Sequence, residues 1–91
     1  MATFVLPATL THEQAAGCSR MLAQAVRTSP DRQAVADASA LDRFDSSALA
    51  VLLECQRMAR SSGRAFSVQG LPPKLTELAR LYGVDGLLQS A

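Results

Sequence analysis

Histidine is nearly absent from this chain, which carries a single one, His12, and only two cysteines, Cys18 and Cys55. A Ser-His-acid triad would have to recruit His12, at the start of a helical pattern with no Asp or Glu motif to orient it. No Cys-x-x-Cys pair exists, so neither a metal site nor a disulfide framework is expected, and no cofactor is assigned. Both cysteines fall among mostly apolar neighbours in helical patterns. They read as inert core thiols, with nothing basic to lower their pKa. No run of glycines follows a strand, which excludes a phosphate loop. Asp42 and Asp45 are a carboxylate pair by spacing only, and a loop Asp and a capping Asp account for them without acid-base chemistry. With no base to activate a serine, the chain is not expected to be an enzyme.

Charge of one sign is also scarce. Nine Lys and Arg stand against eight Asp and Glu, a net charge of +1, and they are scattered rather than clustered. No footprint for nucleic acid follows from that. Long apolar runs are lacking too. The longest, Ala48 to Leu53, is ended by Glu54 and falls far short of the roughly 20 residues needed to span a bilayer. The start, Met1 to Pro7, has no basic region of the signal-peptide kind, and no basic amphipathic helix is present. The chain is therefore expected to be cytoplasmic, with no direct membrane insertion. What remains is 91 residues, 48% hydrophobic and 19% charged, without repeats, linkers or low-complexity segments. That describes an ordered single domain, 1–91, with a modest core and little room for a deep cleft.

Phe4-Val5-Leu6 reads as a short strand stopped by Pro7. Thr11 and Gln14 have the spacing of a capping box. From His12 to Arg27, Glu13, Gly17, Arg20, Gln24 and Arg27 form a polar stripe opposite Ala15, Cys18, Leu22 and Ala25, the period of a surface helix. Thr28 to Asp31 is a loop, and Gln33 to Asp37 a weakly alternating strand. Ala38 to Asp45 connects it to the next helix, with Leu41 and Phe44 tucked beneath. The strongest helix runs from about Ser46 to Ser62, with a narrow polar stripe of Ser47, Ala50, Glu54, Arg57 and Ser61. An apolar arc that wide calls for burial on more than one side. Gly63 ends it, and Ala65 to Gln69 alternates as a strand closed by Gly70. Pro72-Pro73 opens a last helix, with Leu75, Leu78, Ala79 and Tyr82 inward and Lys74, Glu77 and Arg80 outward. Gly83 ends it, and Val84 to Leu88 packs back as a short turn. Strands alternating with helices predict an α/β fold with a sheet parallel in its middle.

One turn carries more than patterning. Asp45-Ser46-Ser47 opens the long apolar helix, where unpaired N–H groups and the positive end of the helix dipole meet. These residues either cap the helix and nothing more, or offer a place where phosphate on Ser46 is electrostatically favoured.

Four segments together resemble the STAS family of anti-anti-sigma factors and transporter-associated domains. They are Val35 to Ser39, Phe44-Asp45-Ser46-Ser47-Ala48-Leu49, Val68-Gln69-Gly70 and Leu78-Ala79-Arg80-Leu81-Tyr82-Gly83. An acidic residue, then Ser or Thr, then small residues opening an apolar helix is that family's hallmark. From Val68 to Tyr82 the chain is most similar to the small subunit of Mla-type phospholipid-transport ABC systems, the MlaB type. The resemblance implies a small mixed sheet of about four strands with helices packed mainly on one face. It also implies a role by binding: an accessory subunit, peripheral to the inner membrane through its complex, docking on the ATPase subunit of an ABC transporter. The contact surface expected is Phe44, Asp45, Ser46, Ser47, Leu49, Ala50 and Glu54. In the sigma-factor branch the hydroxyl after the Asp, here Ser46, is phosphorylated by an anti-sigma factor kinase that is also the partner. The chain departs from the family pattern in having Ala48 where Gly is common, an added methyl that could limit a partner's approach, and in a short N-terminus where one early strand is missing.

Overall fold

A computed structural model describes residues 2–88 of the chain. Three strands form a parallel sheet in the order β1-β3-β5, where β1 is Ala2–Val5, β3 is Gln33–Asp37 and β5 is Ala65–Gln69. Each parallel step needs a crossover, and helices supply it: α1, His12–Thr28, between β1 and β3, and α2, Ser47–Ser61, between β3 and β5. α3, Pro73–Leu81, and a single 3-10 turn, Asp85–Leu87, follow β5.

Register explains how strands this short make a core. Phe4 pairs with Ala36 and Ala36 with Val68, and Ala34 likewise pairs with Phe66, so these residues share one face. That face joins Leu52, Cys55 and Ala59 of α2, Val26 of α1 and Leu75 and Ala79 of α3 in one buried cluster, so the helices cover one side of the sheet. α2 packs on both α1 and β5, which is what its wide apolar arc requires.

The α/β arrangement and the expected strands and helices are present, with four differences. Every pairing among the described residues is parallel, so the mixed sheet is not formed: β1, β3 and β5 are joined through helical crossovers, which bring the chain back in the same direction. The fourth strand is instead a separate ladder of two residues on each side, β2, Thr9–Leu10, with β4, Arg43–Phe44, inside segments read as connections. The deepest positions of α1 are Ala23 and Val26, one residue on from the expected stripe, because α1 lies chiefly against α2. Tyr82 is 57% exposed rather than inward, since α3 ends at Leu81 and the chain turns away at Gly83.

Gly70 closes β5 with φ +68°, and a Cβ built there would lie 2.8 Å from the Cβ of Ser39. Only glycine fits both the left-handed backbone and that approach. Ser39 is in turn held by Asp37, whose Oδ1 accepts its N–H at 3.0 Å and its hydroxyl at 2.6 Å.

Candidate docking site

The β2·β4 ladder pairs Leu10 with Phe44, the last strand residues before α1 and α2. Leu10 is fully buried and Phe44 packs partly buried against the same core. The two helices therefore begin side by side. Thr11 precedes α1, and the oxygen of the Gln14 side chain accepts both its N–H, at 3.0 Å, and its hydroxyl, at 2.7 Å.

Asp45 joins the two starts. Its Oδ1 accepts the N–H of Ser47 at 2.8 Å and its Oδ2 accepts the N–H of His12 at 3.1 Å. One carboxylate thus serves an unpaired donor of each helix. These bonds, the one from the Ser47 N–H foremost, hold the Asp45 carboxyl below the usual carboxylate range against some desolvation. Nδ1 of His12 lies 3.7 Å from Oδ2, a contact that becomes an ion pair when the imidazole is protonated. A recess of about 450 Å³ beside the joined starts is lined by Thr9, Thr11, His12, Gln14, Arg43 and Asp45.

The expected contact residues separate into two groups. Ser46 and Ala50 are exposed; Asp45, Ser47, Glu54 and Phe44 are half-buried. Ser46 is the outermost residue of the turn, and among the described residues its hydroxyl has no partner. Glu54 is clamped by Arg57, with Nη2 of Arg57 2.6 Å from Oε1, which lowers its pKa. Leu49 is corrected: it is 3% exposed and belongs to the core, because its place in α2 turns it toward the sheet, so it cannot meet a partner. Ala48 is also fully buried, so its methyl faces the core and not an approaching surface. The expectation of several unpaired N–H groups at the turn is corrected as well. The N–H groups of Ser47 and Ala48 are already taken by Asp45, the latter by its carbonyl at 3.0 Å.

Thr9 and Arg43 stand beside the site without having been singled out in the sequence, where Thr11 and His12 read only as a cap and a helix start. Only a shared local pattern points to them: an apolar residue followed by a capping residue, Leu10-Thr11 and Phe44-Asp45. Cys55 lies in the core away from this surface, and burial, with charge repulsion from Cys18 and Glu54, pushes its thiol up to about 12. Neither thiol is poised for chemistry, since burial raises Cys18 too.

A model of the family described as "Mlab, STAS domain" matches residues 5–89. Among solved structures, an anti-sigma-factor antagonist (STAS) domain protein from Planctomyces limnophilus is similar, with a TM-score of 0.80 at 15% identity over 97% of this chain and 79% of that one. The anti-sigma factor antagonist SpoIIAA in its unphosphorylated form is similar with a TM-score of 0.73 at 14% identity, over 99% of this chain and 80% of that one. At such identities the likeness is one of fold. No curated protein matches the sequence.

Proposed function

Because the chain belongs to the STAS family, in its MlaB-type branch, we propose that it is the accessory subunit of an ABC-type phospholipid-transport complex and binds and supports that complex's ATPase subunit. STAS domains act by binding other proteins, and the family match over nearly the whole chain is the observation that carries this reading. The surface that fits it is the joined start of α1 and α2: Ser46 at the tip, Asp45, Ser47 and Phe44 behind it, and Ala50 and Glu54 continuing along α2. The fixed geometry at Asp45 suits docking, since a partner meets a turn that is already ordered. In this reading the chain is cytoplasmic and held at the inner membrane through its partner; no helix among the described residues is long and apolar enough to cross a membrane.

Co-expression with the ATPase subunit of such a complex tests the proposal. Ser46→Arg puts a long cation on an exposed position without touching the core. It is expected to leave the circular dichroism and Tm unchanged and to cut the co-purified ATPase at least tenfold. Wild-type recovery of the ATPase by Ser46→Arg would sink the reading.

A second reading, an anti-sigma factor antagonist switched by a kinase at Ser46, draws support from the exposed hydroxyl and from the likeness to SpoIIAA. It has less to stand on. The donors that would cradle a phosphate are committed to Asp45, and that carboxylate would repel the added charge. Intact mass after incubation with the candidate kinase separates the two; an added phosphate on Ser46 would favour the second.

A further inference from the structure

Between α1 and α2 runs an open groove of about 680 Å³ that continues from Ala50 and Glu54, the far end of the proposed docking surface. Its apolar walls are mostly small, Met58 of α2 excepted. Ala15, Ala16, Ser19 and Ala23 line one side, and Ala50 and Val51 the other. Small side chains let another helix approach closely, near the short end of the 8–10 Å interaxial range. The floor is apolar, but the rim is not neutral. Arg20 and Arg27 stand exposed on the α1 side, and among the described residues neither has an acidic partner. The single acid of the groove, Glu54, is already paired with Arg57. Among the described residues, the groove is therefore left with two cations that have no acidic partner.

We propose that this groove receives one amphipathic α-helix of the partner protein, apolar on its inner face and acidic along the edge that meets α1. Charge complementarity selects the acidic edge. Spacing selects the length: Arg20 and Arg27 lie seven residues apart, two helical turns or about 10.5 Å, so the matching acids lie about two turns apart on the incoming helix. Helix-in-groove docking of this kind needs only a few anchors over two to three turns, which the groove provides. Two arginines beside an apolar floor are too few for an anionic membrane surface, which calls for a broader basic cluster. The identity of the partner as the ATPase rests on the reading above; the chemistry of its helix does not.

A photo-crosslinking residue, p-benzoylphenylalanine, placed at exposed Gln24 inside the groove tests this in cells containing the native partners, with the adduct identified by peptide mass spectrometry. The expected adduct is a helical segment with acids about two turns apart. The paired variant Arg20→Glu/Arg27→Glu is expected to lose the adduct at least tenfold, and Arg20→Lys/Arg27→Lys to keep it within about threefold. An adduct in a basic or non-helical segment, an adduct on phospholipid, no adduct, or no loss in the Glu pair would each overturn the inference. An acidic helix from a protein other than the ATPase would uphold it while removing the function proposed above. An ATPase that co-purifies equally with the Glu pair and leaves no adduct at Gln24 would do the reverse.

Discussion

Asp45 is a single carboxylate with two backbone donors from different helices, so its protonation is felt by both. Asparagine has one acceptor oxygen and can serve the N–H of Ser47 or of His12 but not both. Asp45→Asn is expected to lower Tm at neutral pH by roughly 5 °C. The pH dependence follows from the direction of the shift. Hydrogen bonding holds the folded-state pKa of Asp45 below its ordinary value, so the unfolded chain binds the proton more readily. Its stabilising contribution is complete above the unfolded value, near 4, and is lost as pH falls from there through the folded value. Asp37 and Glu54 are shifted the same way, by Ser39 and by Arg57, and add to the acid sensitivity. Thermal melts of wild type and Asp45→Asn from pH 7 to pH 3 should therefore converge in acid; a gap that stays constant would remove the carboxylate from the account.

At the scale of elements, α2 does two things with one helix. Its polar stripe, from Ser47 through Ala50 and Glu54 to Arg57, is the side left to solvent, and everything opposite is core. Leu49 separates these roles. Leu49→Ala is expected to cost about 2–5 kcal/mol of stability, the range for emptying a buried leucine position. The folded fraction should still bind its partner as wild type does. A urea midpoint near wild type, or a folded variant with weakened binding, would return Leu49 to the surface. Much of α2 was legible because fifteen residues hold a clear 3.6-residue period. β3 and β5 were legible from alternation bounded by loop residues and by Gly63 and Gly70. The β2·β4 ladder was not, because two residues have no period to read and their pairing depends on a partner some thirty residues away. Leu49 was misplaced for a related reason: it stands between exposed Ser46 and Ala50 in the motif, and only the packing of α2 on the sheet decides which way position 49 turns. The companion role of His12 was hidden too, since what it gives Asp45 first is a backbone N–H, which any residue but proline carries.

At the scale of the whole molecule, the three-stranded sheet is buried on one face by all its helices, and the joined starts of α1 and α2 stand at one end of that layer. In the proposed reading the fold is a frame for a docking surface built from two helices. The proposal that this surface meets a protein draws on the MlaB-type family match and on exposed Ser46. Amide hydrogen exchange of the chain, alone and in saturating ATPase subunit, tests this most directly. The account predicts slowed exchange in segments 9–14 and 44–54, with little change across β5 and the loop after it. Protection confined to β5 and α3, with segment 44–54 exchanging as in the free chain, would contradict it.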